Sequence, residues 1–187
     1  MRHDFVIEGH GYRLRPVTEQ DTAFILSLRT DPILGRFLHK TSSDPAAHLQ
    51  WLQLYHERPG DYYFVVESRR ANQPEGTISL YGIDSDENSA EWGRWVLQPG
   101  SLAAIESAAL IFRFAFDQVG LDLVWSRTMV SNEKVLAFHD ACGCERRRIS
   151  CIEGIEFVDH ELPRAKWKSV APDLDQKAQR IALRLLS

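Results

Sequence analysis

Cys142, Cys144 and Cys151 follow a C-x-C-x6-C spacing, with His139 and His160 on either side. Thiolates and imidazoles bind soft metals, and a thiolate can also act as a nucleophile. An odd number of cysteines suits neither a disulfide framework nor a four-cysteine zinc site. Reduced, packed thiols are therefore expected and no metal site is assigned, with metal capture through His139 or His160 as the sharper alternative. Glu91 opens an apolar run, where its carboxylate can accept a proton directly or through water, or simply be solvated. Gly93, in the same run, suits a bulge or the close approach of a ligand. Downstream, Gly100, Ser101, Ala103 and Ala104 are small enough for close backbone approach where a strand passes into a helix. The run Arg146-Arg147-Arg148 reads as a solvated strand end, because no broad basic field accompanies it.

The elements that must position these groups belong to one domain. The chain has 187 residues, 44% of them hydrophobic and 26% charged, which is enough apolar content for a single core. Disorder is excluded on composition, and no apolar run reaches the length of a membrane span. The net charge of −4 gives no drive toward nucleic acid and leaves room for a small anionic ligand. Met1 to His10 contains no signal-like apolar segment, so a cytoplasmic protein is expected.

Tyr12 to Val17 alternates as a strand. Thr18 then caps a helix through Phe24, Ile25 and Leu28 to about Arg29, and Asp31-Pro32 breaks it. Ser43 or Asp44 caps a second helix that Pro59-Gly60 ends. Residues 62–66, 76–81 and 91–97 read as an antiparallel meander. Ile105, Ala108, Ala109, Phe112, Phe116 and Val119 recur with a helical period up to Gly120. A strand over 123–130, a short helix over 132–142 and closing strands over 144–152 and 156–167 follow. An amphipathic helix over 172–187 ends the chain. Its face of Leu174, Ile181 and Leu185 fits either a homodimer contact or packing onto its own domain.

This order resembles the GNAT acetyltransferase superfamily over residues 12 to 167. The resemblance is carried best by Asn132, Phe138 and Gly143, which match an N-x-x-A-x-x-F-Y-x-x-x-G-F segment. His139 stands in place of its tyrosine and Cys144 in place of its phenylalanine. It implies an α/β fold, with a central mixed, mostly antiparallel sheet flanked by helices. Residues 1–187 would then form one domain, with a core of 12–167 and a helical extension of 168–187.

The same resemblance implies acetyl-CoA as co-substrate, attack by an amine in a ternary complex, and no acyl-cysteine. The family's tyrosine protonates the departing thiolate. His139 takes that place, and an imidazole of ordinary pKa can supply a proton near neutral pH. The backbone N–H of Val96 or its neighbour would polarise the thioester carbonyl, and Glu91 would take the amine proton. Coenzyme contacts would run from Val96 and Leu97 through Gly100, Ser101, Leu102, Ala103 and Ala104, where the helix start faces the diphosphate, and include Asn132 and Phe138. Leu102 replaces the usual second glycine of that turn, and the loop is shorter than the family's.

Leu28-Arg29-Thr30-Asp31-Pro32, His48-Leu49-Gln50-Trp51 and Tyr62-Tyr63-Phe64 are similar to segments of the N-acetyltransferases that act on UDP-linked 4-amino sugars in pseudaminic acid synthesis. That branch implies an acceptor needing aromatic surfaces and cations. Trp51, Tyr81, Trp92 and Trp95 would supply the former, and Arg29, His48 and Arg94 the latter. Acetylation of protein N-termini, as in the ribosomal-protein enzymes, and acyl-CoA binding without catalysis are the competing expectations. For the N-terminal acceptor, the acidic segment Asp84-Ser85-Asp86-Glu87 would edge the groove.

Overall fold

The computed structural model describes residues 3–186. Met1, Arg2 and Ser187, the outer ends of the N-terminal segment and of the last predicted helix, lie outside the described residues. Eight strands form one sheet: β1 (Ile7–Glu8), β2 (Tyr12–Pro16), β3 (Tyr62–Ser68), β4 (Gln73–Asp84), β5 (Ser89–Leu97), β6 (Leu123–Met129), β7 (Glu145–Ile152) and β8 (Ile155–Pro163). Their spatial order is β1-β2-β3-β4-β5-β6-β8-β7, and every neighbouring pair is antiparallel except β5 with β6. The helices are α1 (Thr22–Arg29), α2 (Pro45–His56), α3 (Ala104–Arg113), α4 (Glu133–Ala141) and α5 (Arg164–Leu186).

Period-two alternation on the central strands sorts side chains between two cores. Phe64, Val66, Ile78, Leu80 and Trp92 pack toward Ala108, Phe112 and Phe116. Tyr63 and Val65 point the other way, onto Ile25, Leu52 and Tyr55 of α1 and α2. The helical run expected up to Val119 is continuous, but its last six residues, Phe114–Val119, wind as a π-helical turn. Gly120 closes it with φ +89°, a left-handed cap that glycine adopts without steric cost.

One strand expectation shifts, and with it the start of the last helix. Trp167 lies on α5 rather than on the closing strand, because Pro163 has no N–H for the ladder and the chain turns into a helix directly after it. There Trp167 packs on Phe112 and Phe116, with ring centroids 5.8 Å away in each case. Leu174, Ala178 and Ala182, spaced four apart, are buried, so α5 packs its apolar stripe onto its own domain.

The feature that makes a site is the parting of β5 and β6. Their parallel pairing covers only Ser89 to Glu91 against Leu123 to Trp125. Beyond it, β5 continues with β4 and β6 with β8, so Trp92–Leu97 and Ser126–Met129 diverge.

Candidate active site

Just past the point of divergence, β5 carries a bulge. Thr77 faces Val96 while Ser79 faces Gly93, so β5 holds one residue more than β4 between these pairs. Arg94 takes the strained backbone, with φ +47°, and the Thr77 hydroxyl donates to its carbonyl at 2.9 Å. Gly93 is there for space: a Cβ at this position would come 2.6 Å from the Tyr81 hydroxyl.

The extra residue also resets the faces of the strand. Three apart, Trp92 and Trp95 would point oppositely on a regular strand. Here they share a face, with centroids 5.6 Å apart, near Phe112, Phe138 and His139. Trp92 is thus core packing, and Trp95 is half-buried beside α4. Neither joins the other expected acceptor residues. By the same count, Arg94 comes onto the face of Glu91.

That opposite face, toward α1 and α2, gathers the rest. Asp61 accepts from both terminal nitrogens of Arg94, at 2.5 and 2.9 Å. The guanidinium carbon lies 4.4 Å from the Tyr81 ring centroid, 5.4 Å from that of Trp51 and 5.6 Å from that of Tyr63. Arg94, expected to face an anionic acceptor, is therefore already neutralised by a carboxylate. The Tyr81 hydroxyl donates to Glu91 at 2.9 Å. Burial pushes the Glu91 carboxyl up, aided by the Asp159 charge, and the Tyr81 bond, Arg127 and Arg94 oppose the shift.

Arg29 differs from Arg94. Its guanidinium donates to the Thr41 hydroxyl at 2.8 Å and to the His39 carbonyl at 3.2 Å, and no carboxylate pairs with it among the described residues. His48 is buried, stacks on Trp51, and has an Nε2 with no hydrogen-bond partner. Burial first, then the Arg29 charge, pushes its pKa down. Asp61 and Thr77 are members of this cluster that the sequence did not single out, and Tyr63 enters there only within a resembling segment, without a site role. Their chain positions give no hint of it, since each meets the site only through strand pairing.

On the other face, His139 projects from α4 into the core at 3% exposure. The Ser126 and Thr128 hydroxyls each lie 3.3 Å from Nε2, and the ring packs on Trp92 and His160. Burial, with the neighbouring His160, drives its pKa down to about 3. The ordinary imidazole expected from the sequence is replaced here by a ring that stays neutral at neutral pH. Phe138 packs on Trp95 with centroids 4.7 Å apart and planes tilted by 35°, and Asn132 is the N-cap residue of α4.

The strand end and helix start form one continuous turn. Gln98 to Ser101 closes with Ser101 N–H donating to the Gln98 carbonyl at 3.2 Å, with Pro99 and then Gly100 at φ +84° as its centre. Ser101 donates to Glu75 at 2.7 Å and accepts from Ala103 N–H at 3.2 Å. Leu102 turns outward, and no side chain caps α3. The first-turn N–H groups of Ala104 and Ile105 thus suit an anion such as a diphosphate. Gln98 N–H donates to Glu75, so alternation sends the Val96 N–H toward Thr77 and the Leu97 N–H toward the gap.

Cys142 and Cys144 are buried, and burial lifts both thiols to about 12; Cys151 is exposed. No group of three or more His, Cys, Asp or Glu side chains that could hold a metal occurs among the described residues. No helix among them is long and apolar enough to cross a membrane.

Residues 12–145 match the acetyltransferase (GNAT) domain family. The fold is similar to that of apo FdhC, a nucleotide-linked sugar GNAT, at 27% identity and a TM-score of 0.82, covering 95% of this chain and 98% of that one. A GCN5-related N-acetyltransferase from Brucella melitensis superposes with a TM-score of 0.77 at 19% identity, covering 96% and 86% of the two chains. A spermidine N-acetyltransferase SpeG chimera of Vibrio cholerae and hSSAT gives 0.74 at 17%, covering 84% and 98%. No curated protein matches the chain in sequence. With a parted β5 and β6, a bulged β5 and a family match spanning most of its length, the chain belongs to the GNAT acetyltransferases and is an N-acetyltransferase.

Proposed function

We propose that the protein transfers the acetyl group of acetyl-CoA, the co-substrate its family implies, to the amine of a nucleotide-linked amino sugar. The observation that carries this is the placement beside the Trp51 ring of Arg29, which has no carboxylate partner among the described residues, and His48, whose buried Nε2 has no hydrogen-bond partner among them. A guanidinium and a ring nitrogen next to an aromatic face suit a diphosphate joined to a planar base. A polyamine would want several free carboxylates instead, and on this face Asp61 is taken by Arg94, which leaves Glu91 for the reacting amine. The Arg94 guanidinium lies over both Tyr81 and Trp51, so the acid end and the aromatic end form one surface. The similarity to the nucleotide-linked sugar GNAT supports the same acceptor class.

In this scheme the turn before α3 and the α3 N-terminus hold the coenzyme diphosphate, with Phe138 and Asn132 along the α4 wall. Glu91 takes the proton of the attacking amine, for which its raised pKa suits it. The Leu97 N–H, neighbour of Val96, faces the gap and stabilises the developing oxyanion; such a donor contributes about 3–4 kcal/mol. His139, neutral in its buried setting, serves the thiolate as an N–H hydrogen-bond donor.

A panel of UDP- and dTDP-linked amino sugars, spermidine and N-terminal peptides, assayed by coenzyme A release, tests the acceptor. Turnover confined to the sugar nucleotides is expected. Turnover of spermidine or peptide alone overturns the proposal.

A further inference from the structure

We propose that Asp61 is a positioning residue for Glu91, acting through Arg94 and Tyr81. The inference rests on Glu91 as the base of the proposed reaction and goes beyond it, since Asp61 lies just ahead of β3, thirty positions from Glu91 in the chain.

The route is continuous. Asp61 grips Arg94 with both carboxylate oxygens. Arg94 is the left-handed residue of the β5 bulge, so fixing its side chain fixes the backbone that places Gly93 under Tyr81. The Arg94 guanidinium covers the Tyr81 ring at 4.4 Å, and the Tyr81 hydroxyl donates to Glu91. Beside the ion pair, this non-glycine residue at φ +47° is held by the Thr77 bond to its carbonyl and by the rings around its guanidinium. The grip also neutralises a cation that would otherwise stand beside the base.

The groups facing Glu91 come from four strands: Tyr81 on β4, Arg94 on β5, Arg127 on β6 and Asp159 on β8, with Arg127 held by Asp159 at 2.7 and 3.0 Å. Arg29 from α1 adds a further cation to that face, and His48 from α2 a titratable ring whose pKa is pushed down. Of these, Arg94 is the cation whose balance Asp61 sets.

The experiment is a carboxyl 13C NMR titration of the full chain without coenzyme or acceptor, the Glu91 resonance being assigned by its loss in Glu91→Gln. In Asp61→Asn the uncompensated Arg94 lowers the Glu91 midpoint while a loosened Tyr81 bond raises it, so the variant is read with and without Tyr81→Phe. The positioning role predicts a fall larger by about half a pH unit or more in the Tyr81→Phe background. Asp61→Glu keeps the charge and holds the midpoint near that of the native chain. Should Asp61→Asn not fold, Arg94→Gly, whose glycine accepts the left-handed backbone, removes the cation and raises the midpoint. Equal Asp61→Asn shifts in the two backgrounds, or an unmoved Glu91 midpoint in Arg94→Gly where that variant stands in, overturn the coupling alone. Full turnover of an amino-sugar nucleotide by Glu91→Gln overturns the base assignment, and the positioning role with it.

Discussion

The imidazole of His139 lies nearly parallel to that of His160, with centroids 4.7 Å apart and planes at 25°, and both rings are buried. Two adjacent buried imidazoles resist protonation, because each charge would be desolvated and would face the other. Burial lowers both pKa values, that of His139 to about 3. The unfolded chain binds these protons below an ordinary histidine pKa of about 6.5, while the folded chain stays neutral, so stability is full above that pH and falls as the solution is acidified. Each such histidine adds about 1.4 kcal/mol per pH unit to the slope. Urea melts between about pH 6 and 4.5, above the range where carboxylates dominate, should show a slope that His139→Phe makes shallower by roughly that amount. Equal slopes would mean that the native ring already carries a proton.

The thiols divide by burial. Cys142 and Cys144, lifted to about 12, hold almost no thiolate at neutral pH, whereas Cys151 faces solvent on β7. Ellman's reagent at pH 8 should therefore titrate a single thiol in the native protein and all three in guanidinium. Alkylating Cys151 should leave turnover unchanged, as direct attack by the amine requires. Loss of activity on that modification would point to an acyl-cysteine route.

Arg29 and Arg94 should part company in kinetics. Among the described residues Arg29 donates to neutral oxygens and pairs with no carboxylate, so its charge is available to an acceptor phosphate. A charge-assisted hydrogen bond is worth about 1.5–3 kcal/mol, so Arg29→Ala should raise the KM for an amino-sugar nucleotide by roughly 10- to 100-fold. The KM for acetyl-CoA should stay put. His48→Phe keeps the ring stack on Trp51 and loses the open Nε2, which predicts a smaller loss in the same constant. Equal loss toward both substrates would show a fold defect instead.

Much of this arrangement is legible in the chain itself. Alternation at Tyr12–Val17, the continuous apolar run Tyr62–Val66 and the helical recurrence from Ile105 to Val119 report which segments meet a core, because burial imposes those patterns locally. The bulge is not legible. Gly93 suggests one, yet the left-handed residue is Arg94, and glycine is needed beside it for the Tyr81 hydroxyl. Once β5 gains its extra residue, every side chain after it changes face. This is why Trp92 and Trp95, expected at the acceptor, share the α4 side, while Arg94 joins Glu91. The Asp61–Arg94 pair is silent in sequence for a related reason: the two meet only because β3 and β5 both flank β4. His139 shows a third kind of limit, since position in a motif does not report the burial that sets a pKa.

Gly93→Ala isolates the contact on which the proposed base depends. The added methyl would lie 2.6 Å from the Tyr81 hydroxyl and 3.4 Å from two atoms of its ring, so the ring has to tilt. Tyr81 is boxed in by Arg94 above it, and a tilt breaks its 2.9 Å bond to Glu91. Losing one hydrogen bond to a charged group costs about 1.5–3 kcal/mol, which predicts a fall of roughly tenfold or more in kcat and a comparable loss of stability. Tyr81→Phe removes the same bond without the clash. In the double variant the clashing oxygen is gone, so its stability should return to that of Tyr81→Phe alone while its kcat remains low. Additive stability losses in the double variant would show that the alanine collides with something other than the phenol, and an unchanged kcat in Gly93→Ala would detach Tyr81 from the proton transfer.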